Sequence, residues 1–504
     1  MQKAAVKKYM VFLLFAVALF ARAYQFGSVP SGLNQDEAFA AYDAWSIMSS
    51  GVDSAGYRYP VYLTAWGSGM NALETYLMIP FFAVFGTADW VVRLPQLIVG
   101  LLSVIAAYAL AKRTVGDDLA LCFMALLAIC PWHIMLSRWA LESNLAPGFI
   151  LFGMYFFVRG MENNRWLLLS ALMYGLSLYC YATIWPIVPL ILLLQLVYAR
   201  KKLRFNLWTA ASVVVLFLLA LPLLLFLAVN KGYMEEICLP FMSIPKLVVM
   251  RSSEISLQNI PENLQRLWLI LFNQADGIYW NSGGAFGTIY KLSLPFCILG
   301  AVLAVYRLIR KQASILDGFM LIQLFSSILL AALVSVNINR VNIIFIPLLY
   351  FTALGILFIC DLLGKPAKLT LIAAYALMFA GFTAYYFGQF PQTAQYYFNG
   401  GLKEALEAVE NRAGTVYLDE AIYHSQLLFY TRTDQKEFAE TVQYRRYPAT
   451  YLSAKSFGRY VLDVDTQNPD EGGCYILKKY EDKLALQQAG FTLENYGYIT
   501  LAYK

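Results

Sequence analysis

Apolar residues in this chain arrive in blocks about 20 residues long, separated by short polar stretches rich in Lys and Arg. A helix of that length crosses a hydrocarbon core of ~30 Å and satisfies each backbone N–H inside its own segment. The blocks do not alternate as the strands of a membrane barrel do. They predict about eleven spans, at 8–27, 91–111, 118–136, 145–160, 166–182, 184–199, 206–228, 289–306, 317–335, 343–360 and 369–387. The stretch 71–86 is apolar but short and interrupted by Pro80, so it reads as a helix lying in the membrane interface. Polar loops are expected at 28–70 and 229–288. From 388 onward charge density becomes ordinary, LKEALEAVE (402–410) has helical spacing, and 415–418 and 475–477 read as strands. The expected fold class is an all-α polytopic membrane protein, residues 1–387, followed by a soluble α/β domain, 388–504.

Composition supports this and orients it. Hydrophobic residues make up 60% of the chain and charged ones 14%, more apolar side chain than a soluble domain of this length can bury. Residues 1–387 carry 26 Lys+Arg against 17 Asp+Glu, and 388–504 carry 12 against 15. The basic excess sits in short loops, at Lys112-Arg113, Arg200-Lys201-Lys202, Arg307, Arg310, Lys311, Lys365 and Lys368. That distribution follows the positive-inside rule and argues against a nucleic-acid partner. It places the N-terminus on the inner, cytoplasmic face of a membrane, and the loops 28–70 and 229–288 and the tail on the outer face. Lys3, Lys7 and Lys8 followed by an apolar stretch mimic a signal peptide, but Arg22 stands where a small cleavage-site residue is expected, and the segment reads as the first span. Seven cysteines, several inside apolar blocks and none in a CxxC pair, predict no disulfide framework.

On this topology unusual polar residues converge on the outer face: Asp36 and Glu37 in GLNQDEAF, Arg93 opening the second span, Arg138 and Glu142 in LSRWALESNL, and Arg340 in NINRVN. Singly, each has an ordinary reading as a solvated acid or a snorkelling Arg. Tyr279 and Trp280, in NQADGIYWNSGG, suit sugar stacking as well as an interfacial aromatic belt; the glycines around them suggest a mobile loop, with a lid over the donor as one reading. His133, behind Trp132, reads as interfacial before ligand or acid–base group, and His424 as a surface residue. No GxGxxG or GxxxxGKS loop supports nucleotide binding.

The segments SVPSGLNQDEAFAAYDAWSIMSSGVDSAGYRYPVYLTAWGSG, VVRLPQLIVG and PWHIMLSRWALESNL resemble the dolichyl-phosphate-mannose-protein mannosyltransferase family in its bacterial branch. That branch includes the lipid A aminoarabinose transferases and belongs to the C-type glycosyltransferase fold. The resemblance runs from about residue 10 to 360, densest over 28–150. It implies a polyprenyl-phosphate sugar donor and a glycan, lipid or protein acceptor at the outer membrane face. Asp36 matches the first-loop acid that acts as catalytic base or orients the acceptor, and Glu37 completes the acid pair. Glu142 matches the second-loop acid that helps bind a metal or the acceptor. Arg340 stands in the place of the family's late Arg, which holds the donor phosphate. Arg93 matches the RLP arginine, with packing or topology ahead of phosphate contact. Glu74 lies where the aminoarabinose branch has an acid–lysine pair, but Thr75 follows it here.

Such a transfer needs a carboxylate to take the acceptor's proton, cationic groups to stabilise the leaving phosphate, and lateral access for a lipid tail. The candidate catalytic residues are therefore Asp36 and Glu142, and the candidate substrate-binding residues Glu37, Arg93, Arg138, Tyr279, Trp280 and Arg340. No cofactor is demanded by any motif. A divalent metal ion stays open, with Glu142, Glu74 and His133 as candidate ligands. A transporter or flippase for a lipid-linked sugar is the competing reading, but transporters place charges near the bilayer midplane, where these blocks have few. A receptor-like protein is a third reading, and gives the acid pair of the first loop no purpose.

Overall fold

The computed structural model describes residues 2–250 and 257–504. Met1, the side chains of residues 2–4 and residues 251–256 lie outside the described residues. The chain divides into two compact units. The first comprises Met1–Phe26, Pro95–Leu221 and Ser252–Phe387, and the second Gly27–Leu94, Pro222–Arg251 and Gly388–Lys504.

The first unit is helical. Among the described residues of the chain, five helices are long and apolar enough to cross a membrane: Leu94–Thr114, Ala182–Ala199, Leu207–Asn230, Ile315–Leu333 and Asn342–Gly388. Shorter apolar helices include Trp166–Ser177 and Ser293–Ile309. The last long helix covers two of the expected spans. It breaks at Gly364, whose φ of 77° only glycine adopts readily, just before Pro366. The expected span 118–136 is likewise interrupted. Cys130 is extended because Pro131 follows it, so the chain forms Asp117–Ile129 and then Pro131–Leu136. The loop 229–288 contains the helix Ile260–Asn273. It buries Leu267 and Ile270 and exposes Leu264, Trp268 and Phe272, a helical period inside a stretch the sequence reading left as loop.

Helices approach closely where glycines allow it. A Cβ on Gly300 would stand 1.8 Å from the Phe351 carbonyl oxygen, and one on Gly355 would stand 2.0 Å from that of Phe296. The helix Ser293–Ile309 and the start of Phe345–Gly388 therefore pack backbone against backbone.

The second unit gathers the segment 27–94, residues 222–251 and the tail. The helix Gln35–Ser50 opens on a capping box, with Asn34 and Glu37 bonding reciprocally, and ends at Gly51 in the left-handed conformation. The tail carries a seven-stranded sheet. Its order is Thr492–Tyr496, Ile499–Tyr503, Cys474–Leu477, Val416–Leu418, Tyr460–Val461, Ala454–Phe457 and Gln443–Tyr444. Val416–Leu418 runs parallel to both neighbours and the other pairs are antiparallel. Both strands read from sequence are present, at the centre of this sheet. The tail helix His424–Thr431 packs along Gln35–Ser50. Gln426 donates to the Leu33 carbonyl (2.6 Å), Ser425 to that of Gln35 (2.9 Å), and Tyr42 to that of Thr433 (2.9 Å).

Candidate active site

Within the second unit, the acid pair sits in the first turn of Gln35–Ser50, where the helix dipole favours negative charge. Its two members have different surroundings. Glu37 is fully buried and forms a bidentate ion pair with fully buried Arg93: Nε donates to Oε1 (2.8 Å) and a terminal nitrogen to Oε2 (3.0 Å). Arg93 also donates to the carbonyls of Pro30 (2.7 Å) and Gly32 (2.6 Å). The Asn34 N–H donates to Glu37 Oε2 (2.9 Å). The pair thus ties the entry of the helix to the segment preceding it. Arg93 is held inward, not snorkelling to headgroups.

Asp36 is half-buried. Its Oδ1 accepts from the indole N–H of Trp66 (3.1 Å), and its own N–H donates to Asn34 Oδ1 (3.1 Å). Trp66 stacks on Tyr451 and meets Tyr423, His424 and Phe39 edge-on. Burial, and then the negative charge of Asp36, push the Tyr423 hydroxyl up. His424 corrects an expectation: it is 2% exposed, and burial pushes it down to about 4, so it is neutral at pH 7. A helix N-terminus packed on the first loop, a long-range placement, hid it from the sequence reading.

A second buried acid pair lies in this unit. Asp43 and Asp53 are both fully buried. Asp43 Oδ1 accepts from the Ser54 N–H (2.7 Å). Asp53 accepts from the N–H groups of Ala55 (3.1 Å) and Tyr57 (2.9 Å) and from the Thr64 hydroxyl (3.0 Å). Burial, then the charge of Asp53, raise Asp43 well above its ordinary value, and burial lifts Asp53 to about 6. Glu74 and Thr75 are fully buried in the helix Leu73–Phe85.

In the first unit, the remaining candidates lie on turns laced together by two polar side chains. Glu142 starts the turn Glu142–Leu145 and is half-buried. Asn342 donates to the Ser143 carbonyl (2.7 Å), joining that turn to the one carrying Arg340. Arg340, half-buried, donates to the Ser335 carbonyl (3.3 Å), and its N–H to Asn337 (2.8 Å). Asp276 Oδ2 accepts from the Ile338 N–H (2.9 Å) and from Asn281 (2.8 Å). It thereby fixes the turn Tyr279–Asn281, with half-buried Tyr279 and Trp280, beside the Arg340 turn. Nothing local in NQADGIYWNSGG marks Asp276 as a bridging acid, because the Ile338 N–H that it binds lies 62 residues away.

Arg138 and His133 are buried in the same unit. Arg138 donates to the carbonyls of Arg22 (2.7 Å) and Gln25 (3.0 Å) at the end of Gln2–Ala23. Arg22 donates to those of Leu127 (3.0 Å) and Ala128 (2.9 Å) at the end of Asp117–Ile129, and to His133 Nδ1 (2.7 Å). Each arginine thus satisfies terminal carbonyls of a helix that is not its own. Since a guanidinium only donates, His133 accepts at Nδ1. Among the described residues no three His, Cys, Asp or Glu side chains come together to hold a metal ion.

Residues 73–226 match the family profile described as dolichyl-phosphate-mannose-protein mannosyltransferase. A sequence search of curated proteins finds no significant match. Among solved structures, ArnT from Cupriavidus metallidurans in the apo state is 14% identical with a TM-score of 0.56, covering 100% of this chain and 98% of that one. The same protein bound to undecaprenyl phosphate gives 14% and 0.53, with 98% and 97% covered. The oligosaccharyltransferase of Archaeoglobus fulgidus gives 13% and 0.51, covering 84% of this chain and 63% of that one. The chain therefore shares the fold of these structures and is similar in sequence to the dolichyl-phosphate-mannose-protein mannosyltransferase profile over 73–226.

Proposed function

We propose that this chain, with its C-type fold and mannosyltransferase-like segment, is a multi-pass membrane glycosyltransferase. It transfers a sugar from a polyprenyl-phosphate donor to an acceptor hydroxyl at the extracytoplasmic face of a plasma membrane. About eleven spans, with the N-terminus cytoplasmic and the tail outside, accommodate this reading. A lipid-phosphate donor is supported by the undecaprenyl phosphate held by the Cupriavidus structure of the same fold. The observation that carries the reading is the unequal acid pair. Glu37 is fully buried in an ion pair, while its neighbour Asp36 is half-buried at a helix N-terminus.

In this reading Asp36 takes the proton of the acceptor hydroxyl as its oxygen attacks the anomeric carbon. The bond from that carbon to the phosphate oxygen breaks on the opposite face, inverting the configuration. The departing polyprenyl phosphate keeps the bonding electron pair. Arg340 offsets its charge, and Tyr279 and Trp280 offer aromatic faces to the sugar. Glu142 orients the acceptor. Arg93 and Arg138 serve the site by holding backbone, given the carbonyls they bind.

Release of polyprenyl phosphate from a panel of polyprenyl-phosphate sugars tests this, using purified protein, membrane extract as acceptor source, and Asp36→Asn and Arg340→Ala beside the wild type. Release by the wild type that is lost in both folded variants is expected. Normal turnover by folded Asp36→Asn would refute the base assignment.

A further inference from the structure

The tail reaches the candidate base through one aromatic residue. Trp66 adopts φ 59°, ψ 4°, a left-handed conformation that a bulky side chain avoids unless its surroundings impose it. Two neighbours from the tail impose it. The Leu452 N–H donates to the Trp66 carbonyl (2.9 Å). The Tyr451 ring stacks on the indole, 4.4 Å between centroids and 11° between planes. Gly67 makes room: a Cβ there would stand 2.7 Å from Leu452 Cδ1. His424, also from the tail, closes one edge of the indole at 5.2 Å, and Phe39 another at 4.8 Å. In that orientation the single donor of the indole points at Asp36 Oδ1. A tryptophan needed only as apolar filling has no reason to hold a disfavoured backbone conformation that aims its N–H at a carboxylate.

We infer that the C-terminal region is a positioning element of the active site: Tyr451 and Leu452 hold Trp66, and Trp66 sets the rotation of the Asp36 carboxylate for proton transfer. The inference rests on the reading of Asp36 as the catalytic base. Trp66 and Tyr451 act through Asp36 and are positioning residues. A base turned away from the acceptor lowers the rate of the chemical step and leaves donor affinity unaffected, because donor binding does not require proton transfer.

The experiment compares full-length Trp66→Phe, Tyr451→Ala, Tyr451→Phe and Asp36→Asn in lipid vesicles, with the polyprenyl-phosphate sugar that the wild type turns over. Trp66→Phe and Tyr451→Ala are expected to lose about tenfold to a hundredfold in kcat, with donor KM within about twofold of wild type. Tyr451→Phe keeps the ring and is expected to retain kcat. In nitrogen-15-tryptophan-labelled protein, the Trp66 indole N–H resonance, assigned by its absence in Trp66→Phe, is expected to move in Asp36→Asn and Tyr451→Ala but not in Tyr451→Phe. If Asp36→Asn is inactive while folded Tyr451→Ala keeps kcat, the positioning role is wrong and the base assignment stands. If folded Asp36→Asn turns over normally, the base assignment fails and takes this inference with it. Should Trp66→Phe fail to fold, Tyr451→Ala decides, since its side chain is 37% exposed.

Discussion

Glu37 and Arg93 form a bidentate ion pair with no solvent exposure on either side chain, and one residue before Glu37 stands the carboxylate of Asp36. The pair is too deeply desolvated to act as a surface bridge. Its geometry satisfies the cost of burial through two direct bonds, the Asn34 N–H and the carbonyls of Pro30 and Gly32. Removing one partner leaves the other charge buried alone. Arg93→Ala or Glu37→Ala is expected to lower stability by about 3–5 kcal/mol, read as a large fall in thermal midpoint in detergent. Arg93→Lys is expected to restore only part, because an ammonium cannot make the bidentate contact.

The helix that presents Asp36 depends on its cap. Asn34→Ala removes the acceptor for the Asp36 N–H and is expected to cost about 1 kcal/mol, with Asn34→Ser recovering most of it. The fall in thermal midpoint should exceed that of an alanine placed at an uncapping exposed position. An unchanged midpoint would show that packing alone fixes the first turn.

The contribution of the Asp43–Asp53 pair to stability should fall as pH rises from about 4 through about 6, the value to which burial lifts Asp53, while His424, held at about 4 by burial, contributes in the opposite direction over the same range. The sign follows from Asp43 and Asp53 being raised in the folded protein. Between those limits the pair holds protons in the folded chain that it has released in the unfolded chain, so for this pair each rise in pH favours unfolding, and the difference between wild type and variant isolates it from His424. Asp43→Asn, which keeps an oxygen for the Ser54 N–H, is expected to flatten this dependence and to raise the thermal midpoint at pH 8. Parallel melting curves of wild type and variant across this range would contradict it.

Gly300→Ala and Gly355→Ala place a methyl where only about 2 Å separates the built Cβ from a facing carbonyl oxygen. Each is expected to destabilise by roughly 1–3 kcal/mol or more as the two helices separate. Gly388→Ala is the control. Nothing lies within 4 Å of its built Cβ, so it is expected to be neutral or to stabilise by up to about 1 kcal/mol.

Much of the architecture is local information. Twenty-residue apolar blocks dictate helices because the membrane leaves the backbone no other partner, and the expected ranges 145–160, 206–228 and 317–335 return as Ala146–Glu162, Leu207–Asn230 and Ile315–Leu333. Val416–Leu418 and Cys474–Leu477 were legible because they are apolar and almost wholly buried, whereas Gln443–Tyr444 and Tyr460–Val461 are two residues long, too short for a pattern to stand out, and Thr492–Tyr496 buries none of its residues fully. The helix Ile260–Asn273 carries a helical period of apolar positions inside the stretch expected as loop.

The candidate acids were legible as rare polar residues beside apolar blocks, since a charge at such a place is costly and seldom idle. What separates Asp36 from Glu37 was not. Adjacent acids look alike in sequence. One becomes a buried counter-ion because Arg93, 56 residues later, is folded against it, and the other meets Trp66, held by a residue nearly four hundred positions further along the chain. By itself the sequence determined the class of fold, the apolar helices and the acids worth examining, because those depend on local period and composition. Only the tertiary structure decided which acid is sequestered, which arginines cap helices and which aromatic residue orients Asp36, because pairing, burial and stacking are set by contacts between residues far apart in the chain.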